Sequence, residues 1–128
     1  MLKSLSPDLM VRDVNEAAEY YHDVLGFEVV GTHPEAGSYE WAMVKRDNVT
    51  LMFERAESVV SYLPHFVGRE LGGSGTLFIE VTDLKSLYES VVGRAKVLQE
   101  PKLTFYGMNE FMIEDPNGYI LVFAERAA

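Results

Sequence analysis

Three histidines are the side chains of this sequence best suited to bind a metal or to transfer protons near neutral pH. His22 falls in a predicted helix, His33 lies in a turn before Pro34, and His65 lies between the two halves of the chain. No two of them have the i, i+4 spacing or the shared strand face that would direct both at one ion. We therefore expect His22 and His33 to be solvated surface residues, and His65 to offer a binding site at most one polar contact.

Carboxylates and hydroxyls offer a second kind of chemistry. Glu40 and Glu110 occupy corresponding places in the two halves of the chain, and such a pair could do acid–base work or hold a metal. Strand-end positions that hydrogen-bond a neighbouring loop explain them as well. Serines lack His and Asp at a hydrolase spacing, and residues 72–75 lack the Lys and helix of a phosphate loop. The absence of Cys excludes disulfides, thiol nucleophiles and Cys-based zinc sites.

The composition is that of a folded, acidic protein. The chain has 128 residues, of which 48% are apolar, and its formal net charge is −9. An acidic surface repels nucleic acids and anionic membranes and attracts cationic ligands, although acidity also serves solubility alone. No signal-peptide core is present, and no apolar run approaches the roughly 18 residues that span a bilayer. We expect a cytoplasmic protein whose partners include neither nucleic acid nor membrane.

An internal repeat with an offset of 70 residues organises the chain. Asp13 and Asp83 each follow a short apolar strand and open a helix (83 − 13 = 70). The same ungapped offset links the pairs Val11/Val81, Gly37/Gly107, Glu40/Glu110, Trp41/Phe111, Leu51/Leu121 and Phe53/Phe123. The repeat predicts an α+β fold of two tandem β-α-β-β-β modules, about 4–54 and 75–125. Linker 55–74, with a short helical piece, either covers a cleft or packs its aromatic residues on the sheet.

Each module can be divided into elements from local patterns. Period-two alternation predicts a strand over Leu5–Val11, and Asp13 with Glu16 forms a capping box for a helix that ends at Gly26. The second helix begins at Asp83 and ends near Gly93, and its capping box is incomplete because Ser86 replaces the Glu. The alternation of Leu77, Ile79 and Val81 predicts the corresponding strand of the second half. The remaining strands are predicted at about 27–31, 39–45, 49–54, 96–99, 108–114 and 119–125.

These motifs resemble the vicinal oxygen chelate superfamily, which includes glyoxalase I, bleomycin resistance proteins and extradiol dioxygenases. The resemblance lies in a strand that ends in residues 11–14 (Val-Arg-Asp-Val), a helix that ends in 24–27 (Val-Leu-Gly-Phe), and the turn at 115–119 (Asp-Pro-Asn-Gly-Tyr). Residues 6–13 are most similar to the bleomycin-resistance branch. The resemblance implies paired modules whose sheets curve into half-barrels within one domain (1–128), often in a homodimer.

The resemblance also implies where a divalent metal would bind in the enzymes of the group. The corresponding positions here hold Ser6, Met52, Thr76 and Val122. None of these side chains is a competent ligand for an ion that prefers imidazole or carboxylate. We therefore expect no metal and no cofactor.

Strand alternation predicts which residues line the cleft. If Leu9, Val11, Leu121 and Phe123 face the helices, the opposite parity carries a mostly apolar wall with adaptable Met residues and a few carboxylates. A four-residue hairpin loop would set Trp41 beside Met52 and Phe111 beside Val122, where the two rings could sandwich a planar or cationic group or simply fill the core. The predicted ligand-binding residues are Asp8, Met10, Trp41, Met43, Met52, Phe78, Glu80, Tyr106, Phe111 and Val122.

The sequence favours a metal-free protein that binds a small amphipathic or cationic molecule, such as an antibiotic-like compound, without a catalytic residue. The alternative is a metal-dependent lyase or dioxygenase of the glyoxalase group. A third possibility is a structural or regulatory module with a vestigial pocket.

Overall fold

The computed structural model describes residues 1–128 as two compact units, residues 1–69 and 70–128, with one four-stranded sheet each. The first unit contains β1 (Asp8–Val11), α1 (Val14–Asp23), β2 (Glu28–His33), β3 (Trp41–Arg46), β4 (Val49–Arg55), α2 (Ala56–Tyr62) and a 3₁₀ turn (Pro64–Phe66). The second contains β5 (Thr76–Glu80), α3 (Leu84–Val91), β6 (Lys96–Leu103), β7 (Met108–Glu114) and β8 (Ile120–Arg126). The predicted α+β fold with its repeated β-α-β-β-β order is confirmed.

Both sheets have the same topology. Their strand orders are β1-β4-β3-β2 and β5-β8-β7-β6. The outer strand β1 or β5 runs parallel to its neighbour, and the other pairs are antiparallel. The parallel registers match at the predicted offset, because Asp8 pairs with Met52 and Phe78 pairs with Val122.

The two helices that follow β1 and β5 begin in different ways. The Asp13 side chain accepts a hydrogen bond from the Glu16 amide at 3.0 Å, as the capping pattern predicts. Asp83 accepts one from the Ser86 amide at 3.3 Å. In addition, the Glu125 carboxylate accepts from the backbone amides of Asp83 and Leu84, which open α3. The Glu125 carboxylate of β8 therefore supplies hydrogen bonds to the first amides of α3, the helix whose own capping box is incomplete.

Some predicted boundaries were wrong. Strand β1 begins at Asp8 rather than Leu5, whose side chain is exposed. Strand β6 extends to Leu103 rather than ending near Gln99. The linker contains α2 and the 3₁₀ turn, which are the short helical piece expected there. No helix has the length and apolar character that crossing a bilayer requires.

One face of each sheet packs against its helix and forms the core. In the first unit this face carries Val11, Ala42, Val44, Leu51 and Phe53, all buried. The Tyr21 ring of α1 lies 4.9 Å from the Phe53 ring. Burying a side chain of this size contributes about 1.5–3 kcal/mol. We call the other side of each sheet its open face, which carries the residues of opposite parity.

The prediction for Phe111 was wrong. Phe111 pairs with Phe123 rather than Val122, and its ring lies 5.1 Å from those of Tyr88 on α3 and Phe123. It is fully buried in the core of the second unit. The physical reason is hairpin length. Trp41 pairs with Glu54 and Glu110 pairs with Ala124, so the equivalent of Trp41 lies 69 residues on (110 − 41 = 69) instead of 70.

The two hairpin turns account for this extra residue. Arg46 pairs with Val49 across the two-residue turn Asp47-Asn48. The second hairpin closes with hydrogen bonds between Asp115 and Tyr119 around three residues, of which Gly118 has a φ of +89°. Such a loop ends in a left-handed residue that glycine adopts without strain. One added residue reverses the parity of β7, because side chains alternate between the faces of a strand.

Candidate functional site

Two carboxyl groups meet on the open face of the first sheet. Asp8 lies on β1 and Glu54 lies on the adjacent β4, where the register places Asp8 opposite Met52 and Met10 opposite Glu54. The two acidic residues are therefore diagonal neighbours on one face, where Glu54 lies close enough to Asp8 to affect its pKa. Two carboxyl groups this close on one face favour the neutral form of one of them, because like charges repel.

The surroundings of Asp8 favour its protonated form. Partial burial, the hydrogen bond to Glu54 and the negative charge of Glu54 together raise the pKa of Asp8 from 3.8 to about 7. Part of the Asp8 surface still contacts water. The Asp8 carboxyl group therefore loses its proton near neutral pH.

A phenol from the linker completes the cluster. The Tyr62 hydroxyl, at the last residue of α2, donates a 2.7 Å hydrogen bond to Oε2 of Glu54. This hydrogen bond, desolvation and the nearby carboxylates raise the pKa of Tyr62 to about 12, so the phenol stays protonated. Helix α2 follows β4 without a break, which brings Tyr62 back to the residue that ends the open face. We call Asp8, Glu54 and Tyr62 the acidic cluster.

An aromatic ring and two thioethers lie beside the acidic cluster. Trp41 pairs with Glu54 across β3 and β4, and Met43 pairs with Met52. The predicted face of Trp41 is thus confirmed, but its predicted neighbour Met52 was wrong because the hairpin turn has two residues rather than four. The Trp41 ring lies over Gly31 of β2, where an added Cβ would sit 3.3 Å from two ring carbons. Trp41, Met43 and Met52 are all partly exposed, so their surfaces are available to a ligand.

The open face of the second sheet carries a different set of side chains. Phe78, Glu80 and Val122 lie on it as predicted; Phe78 is 55% exposed, whereas Val122 is buried. The Tyr106 hydroxyl, from the loop before β7, donates a 2.5 Å hydrogen bond to Oε2 of Glu110, which is also buried on this face. That bond is the main reason that the pKa of Tyr106 is raised. No carboxyl pair forms here, since Phe78 and Ala124 stand at the places of Asp8 and Glu54.

The remaining sequence candidates have structural partners or lie on the surface. Glu40 accepts hydrogen bonds from Arg55, at 2.6 Å, and from Ser58, so it joins the end of β4 to α2. His22 is half exposed, and its Nδ1 hydrogen-bonds the Phe27 carbonyl at 2.8 Å. His33 and His65 are exposed.

Comparison with known proteins identifies the family to which the chain belongs. The family model described as the Glyoxalase/Bleomycin resistance protein/Dioxygenase superfamily matches residues 4–123. The chain belongs to this superfamily. No curated protein matches the chain.

Solved structures of superfamily members share the fold. A member from Sphaerobacter thermophilus DSM 20745 is 19% identical with a TM-score of 0.78, and the match covers 98% of both chains. A superfamily protein from Nocardioides is 14% identical with a TM-score of 0.80, covering 99% of this chain and 85% of that one. TioX from Micromonospora sp. ML1 is 18% identical with a TM-score of 0.76, covering 97% and 99%. At these identities the likeness shows the fold alone.

The residues at the positions that hold a metal in the enzymes of this superfamily do not fit one. The Ser6 hydroxyl hydrogen-bonds the Thr50 hydroxyl at 2.8 Å, and Met52 presents a thioether. The corresponding residues of the second module are Thr76 and Val122, which offer a hydroxyl and a hydrocarbon. No group of three or more His, Asp or Glu side chains is placed to share an ion. Divalent metals of these enzymes require imidazole or carboxylate ligands, which these positions lack.

Sequence reasoning found part of the acidic cluster and missed the rest. Asp8, Met10, Trp41, Met43 and Met52 were predicted, and the structure brings them together on one face with Glu54. The parity of β4 already put Glu54 on this face, and pairing β1 with β4 in parallel would have shown it next to Asp8. Tyr62 had no such signal, because its position depends on how α2 packs.

Proposed function

We propose that this protein is a metal-free binding protein for a small molecule that carries both a positive charge and an aromatic group. An antibiotic-like compound that the protein sequesters would fit this description. The observation that carries the proposal is the acidic cluster of Asp8, Glu54 and Tyr62 beside the partly exposed Trp41.

The acidic cluster supports recognition of a cation. Loss of the Asp8 proton near neutral pH adds a negative charge to the acidic cluster. In the first unit, the Arg55 guanidinium is bound to Glu40 and Ser58 rather than to this pair. A cationic ligand would therefore supply the positive charge that the pair lacks. Partial burial makes the attraction stronger than it would be in bulk water.

The neighbouring side chains support recognition of an aromatic group. Trp41 can stack on a planar ring or contact a cation through its π face, which is worth about 0.5–2 kcal/mol. Met43 and Met52 form a polarizable surface that adapts to irregular ligand shapes. A mostly apolar wall with a few polar groups at fixed places is typical of small-molecule sites.

The side chains at the four metal positions of the superfamily argue against the enzymatic alternative. A lyase or dioxygenase of the glyoxalase group would route its chemistry through a divalent metal, and Ser6, Met52, Thr76 and Val122 cannot hold one. Membership of the superfamily does not by itself assign a reaction, because one fold serves many functions.

The proposal is tested with a permanent aromatic cation and its neutral isostere. N-methylquinolinium and 1-methylnaphthalene have the same shape and differ in charge, and bleomycin serves as a larger cationic probe. Binding is measured by calorimetry and by quenching of Trp41, which is the single Trp of the chain. We expect the cation to bind at least about tenfold more tightly than the isostere, an energy difference of about 1.4 kcal/mol.

Matched variants locate the binding site. Glu54→Gln should weaken the preference for the cation, because only the Asp8 carboxylate remains. Glu19→Gln, which makes the same charge change at an exposed position of α1, should preserve the preference. Equal affinity for the cation and the isostere, or no binding of any of the three probes, would refute the proposal. Stoichiometric Ni, Zn, Fe or Mn in the purified protein would support the enzymatic alternative instead.

A further inference from the structure

We propose that the open face of the second sheet holds a second binding site, in which the buried Glu110 carboxylate receives the head group of a primary alkylammonium ion. The ligand class differs from that of the acidic cluster, because this cation must donate a hydrogen bond and needs no aromatic ring. All the residues involved lie in the second unit, so the second site does not depend on the proposed function.

Glu110 places a carboxylate where the protein surface is almost closed. It lies on β7 opposite Ala124 of β8, and only 2% of its surface is exposed. Its Oε2 accepts the 2.5 Å hydrogen bond from the Tyr106 hydroxyl. Its Oε1 accepts no hydrogen bond from the protein and is not sealed off from solvent. A buried carboxylate needs donors to offset its desolvation, so Glu110 has one oxygen left for a donor from outside the chain.

The chain also gives Glu110 no positive charge. Lys102 stands opposite it across β6 and β7, but the two form no ion pair and Lys102 is exposed. Lys96, the other lysine of β6, is bound to Glu114 at 2.9 Å. Carboxylates are almost never fully buried unless they are paired. The missing partner of Glu110 therefore indicates a cationic ligand.

Holding Tyr106 in place does not explain the carboxylate. Tyr106 is 54% exposed, so water could accept a hydrogen bond from its hydroxyl. The backbone already closes the turn before β7, because the Thr104 amide donates to the Met108 carbonyl at 2.8 Å and the Gly107 amide donates to the Thr104 carbonyl at 3.2 Å. In the first sheet Trp41 occupies the equivalent place, so the fold does not require a carboxylate there.

The neighbouring side chains fit an alkyl chain. Val122 and Met112 pair across β8 and β7, two residues along the strands from Ala124 and Glu110, and Phe78 pairs with Val122 on the other side. Phe78 is 55% exposed and Met112 is partly exposed. Neighbouring strands lie about 4.8 Å apart, so β5 and β7 are separated by about 10 Å. A hexyl chain is comparable in length to this separation and would cover the apolar side chains between them.

A carboxylate oxygen that lacks a donor distinguishes between related ligands. n-Hexylammonium brings a positive charge and N–H donors to Oε1. n-Hexyltrimethylammonium has the charge without a donor, and 1-hexanol has a donor without the charge. We expect n-hexylammonium to bind at least about tenfold more tightly than either analogue, because a charge-assisted hydrogen bond is stronger than a neutral one.

The experiment measures both the affinity and the place of binding. Calorimetry with the full chain gives the affinities of the three compounds, and NMR of isotope-labelled methionine methyl groups locates them. Met112 lies beside Glu110 on the second sheet, whereas Met43 and Met52 lie on the first. We expect n-hexylammonium to shift the Met112 signal.

Matched variants on one strand test the role of the carboxylate. Glu110→Gln keeps an acceptor for Tyr106 but removes the charge, so it should weaken n-hexylammonium binding at least about tenfold. Glu114→Gln makes the same change on the same strand and face, at a residue that Lys96 already pairs, and should retain the wild-type affinity. Thermal denaturation verifies that both variants are folded, and the comparison of the three compounds needs only the wild-type chain.

The outcomes separate the second site from the proposed function. Equal affinity for the three compounds, or no binding of n-hexylammonium, would refute the second site. An unchanged affinity in Glu110→Gln, with or without a loss of stability, would leave Glu110 only its bond to Tyr106 and also refute it. Shifts of Met43 and Met52 in place of Met112 would move the ligand to the first sheet, which refutes the second site and leaves the proposed function intact. Quenching of Trp41 by N-methylquinolinium tests the proposed function separately.

Discussion

Replacing Asp8 with Asn should stabilise the free protein at neutral and alkaline pH. In the folded chain the pKa of Asp8 is about 7, compared with 3.8 for the free side chain, so the folded state binds the proton more tightly than the unfolded state. The free energy of unfolding therefore falls as the pH rises from about 4 to about 7. Asn donates to Glu54 as the protonated acid does, but it has no charge to lose.

The magnitude follows from the pKa difference and from the exposure of the side chain. A rise in the pKa of Asp8 from 3.8 to about 7 would correspond to about 4 kcal/mol for a fully shielded group. Asp8 is partly exposed, and solvent screening reduces such terms considerably. We expect Asp8→Asn to raise the free energy of unfolding by about 1–2 kcal/mol at about pH 8.

Urea denaturation followed by Trp41 fluorescence measures this gain, because the single Trp lies in the unit that contains the acidic cluster. Wild type and Asp8→Asn are compared at about pH 8 and about pH 5, where the gain should be markedly smaller. Glu19→Gln controls for the change in net charge and should show no such difference. A gain of equal size at both pH values, or a loss of stability at about pH 8, would refute the account of the carboxyl pair.

Two further predictions test the register of the second hairpin and the packing of the loop that precedes β5. Phe111→Ala should lower the free energy of unfolding by about 3–5 kcal/mol because it leaves a cavity in the core. Trp41→Ala, in contrast, should weaken N-methylquinolinium binding more than it lowers the free energy of unfolding. Urea denaturation and calorimetry of both variants measure the two effects, and similar losses of stability would contradict this placement of the two rings. Gly72→Ala should destabilise the chain by about 2 kcal/mol or more while leaving that binding unchanged. Its Cβ would lie 2.2 Å from the Gly118 carbonyl oxygen at a φ of +80°, and an unchanged melting temperature would count against this packing.

The fold could be predicted from the sequence because it depends on patterns that repeat. The Asp13 cap, the alternating strands and the 70-residue offset indicate the same order of elements in both halves, and β1, β4, β5 and β8 keep the predicted parity. Strand β1 is shorter than its alternation suggests. The apolar residue Leu5 satisfies the pattern, yet it has no buried place in the sheet and is 83% exposed.

The placement of Phe111 shows where repeat reasoning fails. An ungapped offset aligns the residues of two sequences, but the face of a strand depends on the length of the turn that pairs it with its neighbour. Residues Asp115–Tyr119 close the hairpin with one residue more than the first hairpin has, so Phe111 aligns with Trp41 in sequence while Glu110 takes its place in space. The Asp-Pro-Asn-Gly run signals a turn, and counting its residues separately in each module would have revealed the shift.

The difference between the two open faces is itself an argument about function. Equivalent strand positions carry Asp8 and Phe78, Glu54 and Ala124, and Trp41 and Glu110. The fold does not require the carboxyl pair, because β5 and β8 pair in the same register as β1 and β4 although they carry Phe78 and Ala124 at those places. Holding two acidic groups in contact costs the first module stability at neutral pH. This avoidable cost supports the proposed binding of a cation, whose positive charge would remove it.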